Sequence, residues 1–577
     1  MRHFAGLVPA PTLPLPRVPP SPVSTREGQG GGWVKGARPF ALLSLLCLVI
    51  YAPGLAAIPP LDRDEARFAQ ATRQMLETGD FVRIRFQDEA RNKKPVGIYW
   101  LQAGAVAAFS TPESTAIWPY RLPSALAATG AVLLTFALGA RLLGSKLAGF
   151  VGAIIMASAL GLVVEAHLAK TDAALLAAII AGQGALGLVY AANRAGRRVP
   201  TWLPLVFWPA QAAAILLKGP PGPVLALLTV VSLSIADRDT RWLRGLRPLA
   251  GASVTALIVA PWLIAVESAT GGQFVSGSLL RDLLPKLVGA QESHGAPPGY
   301  YLGLANVSFW PGSLFIVPAL LWGWRQRHDA ATRFLLAWLV PAWICFELVP
   351  TKLPHYVLPL YPALALLAGG ALAEGFAQCL TGPARLLDNI VKVLWAAVTI
   401  ALAAALIVVP VKFGAEVSPA AVAALPVLLG LALLLLLGRW RPIGAAALIA
   451  ALTAAFVAPA AIEVLPRLDS LWPSRSAAAL LARYPPRPGE AVLSVGYSEP
   501  SLVFLLGTAT RLVTAAPGDG QLAGATLALV RDRYEAEFRR SLTARGLTAR
   551  TIDRVTGLDY STGGEQLNLI LFRLEPG

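Results

Sequence analysis

Long apolar runs are the feature of this sequence that most limits how it folds. Runs of roughly 18 to 22 apolar residues recur between Pro39 and Pro466, with short polar loops between them, and about 20 such residues are needed for a helix to cross a bilayer. Of the whole chain, 55% is hydrophobic and only 14% is charged, which is too apolar for a soluble domain of ordinary composition. The sequence therefore predicts an all-α polytopic membrane protein with about thirteen transmembrane helices.

Positive charges mark one side of this predicted bundle. Lys and Arg total 49 against 33 Asp and Glu, a net charge of +16, and much of the excess falls in every second turn, for example at Arg194, Arg197 and Arg198. In a soluble protein such an excess would suggest nucleic acid, but in a polytopic one it follows the positive-inside rule and contact with anionic lipids. We therefore predict no nucleic-acid partner, a cytoplasmic N-terminus and a C-terminus on the opposite, outer side.

Composition divides the chain into three predicted parts. Residues 1–37 are rich in Pro and Gly and lack an apolar pattern, which is typical of a disordered tail. Residues 38–463 hold the apolar runs and form the predicted transmembrane domain, whose first outer loop is 59–120. From residue 464 the composition turns polar, and short apolar runs predict a small soluble α/β domain at 464–577.

The first outer loop places five charges next to a predicted membrane exit: Asp62, Arg63, Asp64, Glu65 and Arg67. Charges are costly at such a position unless they are paired or functional. One interpretation is a cluster that anchors a helix to lipid headgroups. The other is a catalytic acid beside cations that bind a phosphate, since Asp64 and Arg67 are three residues apart and share a helix face.

A second candidate acid, Asp172, stands where another predicted span begins, with Glu165 and His167 just before it. A carboxylate at a helix start often serves only as a cap. However, the predicted topology puts Asp172 on the same side of the membrane as Asp64. Two acids at one membrane surface are suited to orienting a nucleophile and managing its proton.

Several cations and one tyrosine fall on the outer side, where the positive-inside rule does not predict them. They are Arg67, Lys94, Arg281, Lys352 and Tyr356. The neighbours Lys93 and Lys94 are also explained by side chains that reach from an apolar surface to the headgroups. A site for an anionic lipid phosphate accounts better for the whole excess.

No motif for a metal stands out in the sequence. The three cysteines lie in or beside apolar segments at no metal-like spacing, and His167, His294 and His355 are scattered singly. Paired ligands at helical spacing are the usual signature of zinc enzymes. The residues alone therefore predict neither a metal site nor a disulfide framework.

Four stretches of the chain resemble the bacterial aminoarabinose transferases of lipid A. They are Leu-Asp-Arg-Asp-Glu-Ala-Arg at 61–67, Lys-Pro at 94–95, Lys-Gly-Pro at 218–220 and Lys-Leu-Pro-His-Tyr-Val-Leu-Pro at 352–359. Those enzymes belong with the protein O-mannosyltransferases among the polytopic glycosyltransferases of the GT-C fold, which use polyprenyl-phosphate sugars. The resemblance covers residues 38–465 and the segment 497–501.

The resemblance implies thirteen spans in the bacterial inner membrane, a periplasmic C-terminal domain, and inverting transfer of a sugar from undecaprenyl phosphate to lipid A or another envelope acceptor. By similarity, Asp64 is the principal catalytic carboxylate and Asp172 a supporting acid, with Glu165 as the alternative. The carrier phosphate is predicted to contact four residues, Arg67, Lys94, Arg281 and Tyr356. The predicted substrate-binding set is completed by Lys93, Lys352 and His355.

The chain departs from this family at two places. Lys93 stands where the aminoarabinose transferases usually carry Glu, and no His lies shortly before Arg281, where Ser276 and Ser278 are found instead. The family residues at these places resemble metal ligands, so we expect no bound zinc here. The extra cation indicates another sugar donor or acceptor.

Other classes of protein remain as alternatives, namely a protein O-mannosyltransferase-like enzyme and a lipid or solute transporter. Transporters usually carry acids at mid-depth in their spans and are built from related halves. In this sequence the charges cluster at one surface and no internal repeat is visible. A scaffold that only binds lipid would explain the cations but would leave Asp64 and Asp172 without a role.

Overall fold

Helices form most of this protein, and a β-sheet forms its last part. The computed structural model describes residues 36–278, 295–438, 441–487 and 489–577. The helices up to residue 278 are α1 (Arg38–Tyr51), α2 (Asp64–Thr78), α3 (Gly97–Phe109), α4 (Trp118–Leu142), α5 (Lys146–Ser158), α6 (Leu160–Ala166), α7 (Asp172–Arg194), α8 (Trp202–Lys218), α9 (Pro221–Asp237), α10 (Pro248–Ala269) and the short α11 (Gln273–Val275). From residue 295 to 467 they are α12 (Tyr300–Ser308), α13 (Ile316–Arg325), α14 (Ala330–Leu348), α15 (Tyr361–Ala373), α16 (Gly382–Lys412), α17 (Pro419–Leu437) and α18 (Pro442–Pro459).

Eight of the described helices are long and apolar enough to cross a membrane, and two bent helix pairs raise that number to ten. One of these pairs is α5 with α6, bent by 61°. Four shorter apolar helices, α1, α3, α8 and α9, accompany them. The chain is therefore a mostly helical, multi-pass membrane protein, as its apolar runs predicted, and the number of thirteen spans stays a prediction.

The bend between α5 and α6 leaves a helix start inside the bundle. Ala159 takes an extended conformation between the two helices, and the backbone N–H of Leu160 donates to the carbonyl of Trp310 at 2.9 Å. This hydrogen bond satisfies one of the N–H groups that the start of a helix leaves without an internal partner. From the bend, α6 leads directly into the loop 167–171 that precedes α7.

Small residues let the helices around α5 pack closely. A Cβ atom at Gly139 of α4 would lie 2.7 Å from Cα of Gly149 in α5, and one at Gly369 of α15 would lie 2.9 Å from the backbone nitrogen of Gly152. Close backbone approach is a common basis for helix packing in a bilayer, where lipid tails are as apolar as the side chains. This packing fixes α4, α5 and α15 relative to one another.

Apolar residues at helical spacing, Phe68, Ala71, Met75 and Leu76, predict an amphipathic helix from Asp62 to Thr78. The first charged loop continues into α2 close to this predicted position. The buried face of α2 carries apolar residues at helical spacing: Phe68, Ala71 and Met75. Gly79 ends the helix with a φ of 68°, which a residue without Cβ adopts most readily. The predicted start at Asp62 is two residues early, because Arg63 takes a non-helical conformation with a φ of 65°. As a result Asp64 and Glu65 occupy the first turn, where the helix dipole favours acids.

The chain after residue 472 folds into a mixed α/β segment. The first two strands of the chain, β1 (Arg85–Phe86) and β2 (Glu89–Ala90), form a separate hairpin after α2. The strands of the C-terminal segment are β3 (Ala491–Val495), β4 (Arg511–Val513), β5 (Ala525–Arg531), β6 (Leu547–Asp559) and β7 (Glu565–Pro576). The helices of the C-terminal segment are α19 (Pro473–Arg483), α20 (Pro500–Leu506), α21 (Asp519–Leu522) and α22 (Glu535–Thr543). The sheet order is β4-β3-β5-β7-β6, with β3 parallel to β4 and β5, and β7 antiparallel to β5 and β6. The α/β content agrees with the prediction, whereas the side of the membrane stays a prediction.

This C-terminal segment docks on α2 and α4. Gln70 Nε2 donates to Thr508 Oγ1 at 2.7 Å, and Arg73 Nη1 donates to the carbonyl of Phe504 at 2.8 Å. The ring of Phe504 meets the ring of Tyr120 edge to face, with centroids 5.3 Å apart. Polar contacts therefore hold the sheet segment against α2, and the aromatic contact holds it against α4.

Candidate active site

A charged cavity of about 470 Å³ lies between one end of the helical bundle and the C-terminal segment. The helix ends and connecting loops of the bundle contribute Arg63, Asp64, Arg67, Phe68, Arg91, Lys93, Lys94, Lys170, Thr171, Asp172, Lys218, Thr351, Leu353, His355 and Tyr356. The C-terminal segment contributes Ser498, Glu499, Ser561 and Thr562. Seven of the nine predicted site residues therefore line one cavity, among them both candidate acids.

Glu65 positions the first loop without lining the cavity. Its carboxylate accepts two hydrogen bonds from Arg121 of α4, at 2.7 and 2.8 Å, and both side chains are buried. Its oxygens also accept from the backbone N–H of Leu61 at 2.8 Å and of Ala169 at 2.9 Å. Because Ala169 lies in the loop before α7, one side chain ties the segment around Leu61 to the loop 167–171. Successive helical residues point about 100° apart, so the burial of Glu65 leaves Asp64 free to face the cavity.

Arg67 follows Asp64 by almost one helical turn and lines the same cavity. Burial and the positive charge of nearby Arg91 lower the pKa of Arg67. Arg91 itself packs over the ring of Phe68, 5.1 Å from its centroid, and its Nε donates to Tyr99 Oη at 3.3 Å. Two guanidinium groups at close range favour an anion between them.

Asp172 is held by side-chain cations. Lys218 Nζ donates to Oδ1 of Asp172, and Lys170 Nζ lies 3.7 Å from Oδ2. His355 Nε2 lies 3.7 Å from Oδ1. The N-cap residue of α7 is Thr171, and it makes no side-chain cap hydrogen bond. The structure thus gives Asp172 a set of charged partners in the cavity, which the interpretation as a helix cap did not require.

Glu165 lies behind Asp172 and does not line the cavity. Its Oε1 accepts from Lys170 at 3.2 Å and lies 3.9 Å from Nδ1 of His355. Burial by itself lowers the pKa of the Lys170 ammonium group. The negative charges of Glu165 and Asp172 outweigh this effect of burial, and the pKa of Lys170 is raised. Lys170 therefore stays charged and bridges the two acids, and of these two Asp172 is the one that faces the cavity.

Known proteins share long stretches of this sequence. Residues 42–270 match the family described as dolichyl-phosphate-mannose-protein mannosyltransferase. The undecaprenyl phosphate-alpha-4-amino-4-deoxy-L-arabinose arabinosyl transferase of Pseudomonas paraeruginosa is 29% identical over 338 residues, which cover 57% of this chain and 60% of that protein. Arabinosyl transferase 1 of Pseudomonas fluorescens is 29% identical over 353 residues, 59% of this chain and 61% of that protein. The match thus spans about three fifths of the length of these relatives.

Solved structures share the fold. The crystal structure of ArnT from Cupriavidus metallidurans bound to undecaprenyl phosphate is 19% identical, covers 92% of this chain and 97% of that chain, and gives a TM-score of 0.70. The predicted resemblance is confirmed. An oligosaccharyltransferase of Archaeoglobus fulgidus, 11% identical, covers 86% of this chain and 69% of its own, with a TM-score of 0.51. This chain therefore has the fold of the ArnT structures.

Within this transferase fold, Lys352 does not line the cavity, against its prediction as a substrate contact. Its ammonium group is buried and donates to the carbonyls of Glu347 at 2.7 Å and Val349 at 2.8 Å. These carbonyls belong to the C-terminal end of α14, where helices favour a cation. Arg281, the other predicted contact missing from the cavity lining, lies outside the described residues.

Glu165, Asp172 and His355 bring three possible metal ligands within 4.8 Å of one another. However, Lys170 and Lys218 already contact these two carboxylates, so two negative charges face two positive charges. A divalent cation would have to displace both ammonium groups and stay beside them, which costs desolvation and repulsion. This set of residues does not fit a resident divalent metal.

The C-terminal segment closes the cavity on the side of the first loop. The backbone N–H of Asp62 donates to Tyr560 Oη at 2.9 Å, and that of Ser501 donates to Asp62 Oδ1 at 3.1 Å. Burial and the neighbouring charge of Glu499 raise the pKa of Asp62 to about 7. Of the C-terminal segment, the resemblance in sequence included only residues 497–501.

Sequence reasoning missed several cavity residues. Arg91 and Lys170 were not predicted. Lys218, a single cation between two apolar runs, left two interpretations open, a substrate contact or only the end of a loop. The available signal was a single cation in a short loop, close to residues that were predicted, as Lys170 is close to Asp172. Such a signal does not distinguish a cavity cation from a solvated one, because the partner lies far away in the sequence.

Proposed function

We propose that this chain is an inverting glycosyltransferase of the bacterial inner membrane. It moves a sugar from a polyprenyl-phosphate carrier to an extracytoplasmic acceptor, either a lipid A phosphate or another envelope glycolipid. The observation that carries the proposal is the sharing of one cavity by Asp64, Asp172 and a group of cations that includes Arg67 and Lys94. The similarity to undecaprenyl phosphate-alpha-4-amino-4-deoxy-L-arabinose arabinosyl transferases supports the carrier and the sugar class.

The proposed topology follows the charge pattern. Thirteen spans place the tail 1–37 in the cytoplasm, the transmembrane domain 38–463 in the bilayer, and the α/β domain 464–577 in the periplasm. The cavity then opens at the periplasmic surface, where a carrier lipid arrives laterally and the acceptor approaches from the outer leaflet of that membrane. Positive charge in every second turn supports this orientation.

The cations account for the departure of the carrier phosphate. Inversion requires attack opposite the leaving phosphate, on which negative charge develops in the transition state. Arg67 and Lys94 line the cavity, and groups that neutralise this charge lower the barrier because they bind the transition state more strongly than the substrate. Lys93 adds a further cation, and Arg281 is proposed to join this set.

The acids act on the acceptor and on the sugar. A phosphate acceptor is already ionised, so Asp64 would position it or stabilise the positive charge that develops on the sugar. A hydroxyl acceptor needs a base, and Asp64 would then accept its proton. Asp172, oriented by Lys218 and Lys170, supports either reaction from the other wall of the cavity.

The test is sugar transfer by purified protein in proteoliposomes that contain the donor lipid, with products detected by mass spectrometry. We expect Asp64→Asn to insert normally and to lose transfer. Asp88→Asn is the matched control, because it makes the same change at an exposed residue of the same outer loop. Near-normal turnover by Asp64→Asn would reject the assignment.

The match to the protein mannosyltransferase family over residues 42–270 favours a second candidate, transfer to a protein hydroxyl. The same assay separates the two candidates, since one modifies a lipid and the other a polypeptide. Solute flux without any modified product would instead indicate a transporter.

A further inference from the structure

A second polar cavity, of about 240 Å³, lies far from the charged cavity. It is lined by the ends of α15, α17 and α18 and by the first turns of α16. α16 has 31 residues, and its last residue, Lys412, is followed by Phe413, whose carbonyl accepts from Ser470 Oγ near the C-terminal segment at 3.0 Å. Asp388 is 24 residues before Lys412, which at 1.5 Å per residue is about 36 Å along the axis. The second cavity is therefore at the opposite end of the bundle.

A buried carboxylate faces this cavity with one oxygen unsatisfied. Asp388 lines the cavity, and its side chain is only 4% exposed. Oδ2 pairs with Lys392 Nζ at 2.6 Å, whereas Oδ1 has no hydrogen-bond partner among the described residues. A buried carboxylate oxygen without a donor is costly. Its environment therefore calls for a donor that arrives with a ligand.

The same cavity offers groups that bind a phosphate. Arg385 and Lys392 line it together with Asp388, and these three residues share one face of α16, since they are three and four positions apart. Arg385 provides a planar set of N–H donors that suits phosphate oxygens. One cavity thus combines an acceptor for an ammonium group with donors for a phosphate.

The surroundings of the cavity favour a lipid over a soluble ligand. Leu386, Leu387 and Ile390 stand beside these polar residues on α16 and are half or more exposed. An exposed apolar surface of this kind on a membrane helix contacts acyl chains. A ligand seated here has its polar group in the cavity and hydrocarbon next to it.

We propose that this cavity binds the headgroup of phosphatidylethanolamine. The primary ammonium of the lipid donates to Asp388 Oδ1, and its phosphate accepts from Arg385. Phosphatidylcholine fits less well because its quaternary ammonium has no N–H to donate. Phosphatidylglycerol lacks the cation that Asp388 requires. The site is independent of the proposed sugar transfer and is a place where a bilayer lipid stabilises the far end of the bundle.

The test is lipid retention by the purified full chain, measured by native mass spectrometry after exchange into equal mixtures of phosphatidylethanolamine, phosphatidylcholine and phosphatidylglycerol. One charge-assisted hydrogen bond predicts that phosphatidylethanolamine is retained roughly tenfold over phosphatidylcholine. In Asp388→Asn this ratio falls towards one, and retention of phosphatidylglycerol rises because Lys392 loses its counter-ion.

The matched control is Arg385→Gln, which weakens retention of both zwitterionic lipids and leaves their ratio unchanged. Equal retention of the two zwitterionic lipids by the wild-type chain would overturn the proposal, as would a ratio that Asp388→Asn does not change. If Asp388→Asn does not fold, the proposal is decided by the ratio of phosphatidylethanolamine to phosphatidylcholine that the wild-type chain retains. Displacement of the lipid by soluble glycerophosphoethanolamine at a similar concentration would overturn the assignment to a membrane lipid.

Discussion

The guanidinium of Arg121 and the carboxylate of Glu65 form a fully buried bidentate ion pair, with Nε to Oε1 at 2.7 Å and Nη2 to Oε2 at 2.8 Å. Arg121 also donates to the carbonyls of Ile58 at 2.7 Å and Pro59 at 3.0 Å. The pair therefore holds the chain on both sides of the first charged loop. Asp64, the proposed catalytic acid, is the neighbour of Glu65 and depends on this pair for its position.

We expect Arg121→Met to destabilise the protein by about 3–5 kcal/mol, because it leaves the Glu65 carboxylate buried without its charged partner. The measurement is chemical or thermal unfolding of the detergent-purified chain. Arg141→Met is the control, since it makes the same change at an exposed position of α4 and should alter stability by well under about 1 kcal/mol. Equal losses in the two variants would contradict this role for the pair.

Lys218 and Lys352 are expected to respond differently to the same substitution. Lys218→Met removes a cation that contacts Asp172 in the cavity, so transfer should fall by roughly 10- to 100-fold, as for loss of about 1.4 to 2.7 kcal/mol of transition-state stabilisation. Lys352→Met removes the cation at the end of α14 and should lower stability with a smaller change in turnover of the folded fraction. Kinetics and unfolding of both variants measure this. A larger loss of turnover in Lys352→Met would place Lys352 in the active site after all.

The raised pKa of Asp62 predicts that the stability of the folded protein depends on pH. The pKa of Asp62 is raised to about 7 by burial and by Glu499, whereas a free Asp titrates near pH 4, at about 3.9. Because the folded state binds this proton more tightly than the unfolded state, the stabilisation is complete below about pH 4 and is lost as the pH rises to about 7. Asp62→Asn should therefore gain stability relative to the wild type as the pH rises.

Melting temperatures of wild type and Asp62→Asn between pH 5 and 8 test this sign. Asp80→Asn provides the comparison, because hydrogen bonds from Arg83 and Val82 outweigh the effect of burial and lower the pKa of Asp80, which then titrates below this range. Its difference from wild type should be constant between pH 5 and 8. A constant difference for Asp62→Asn as well would show that Asp62 is charged throughout.

Phe504→Ala should loosen the C-terminal segment without unfolding it. The Phe504 side chain is fully buried against Tyr120, and truncation of a buried Phe costs about 3–5 kcal/mol. Limited proteolysis should release an intact C-terminal fragment. In Phe538→Ala, which removes a ring buried inside the sheet segment, the fragment itself should be degraded. Identical digestion patterns would mean that docking and folding of the segment are inseparable.

Local patterns predicted the parts of this protein that depend on local physics. Apolar runs gave the helices long enough to cross a membrane, and helical spacing of Phe68, Ala71 and Met75 gave the buried face of α2 to within two residues. The charged motif around Asp64 and the position of Asp172 at a span start placed both acids at one end of the bundle. Each of these features is a property of neighbouring residues, because membrane insertion and helix amphipathicity act over one or two dozen positions.

The partners of those residues were decided by the tertiary structure alone. Lys218 contacts Asp172, which is 46 positions away in the sequence, and Arg121 contacts Glu65, which is 56 positions away. Lys352 instead donates to carbonyls only three to five positions away and does not line the cavity. Nothing in a short stretch of sequence distinguishes these lysines. A buried charge takes whichever counter-charge helix packing brings within a few ångströms, because desolvation makes an unpaired charge far more costly than an exposed one.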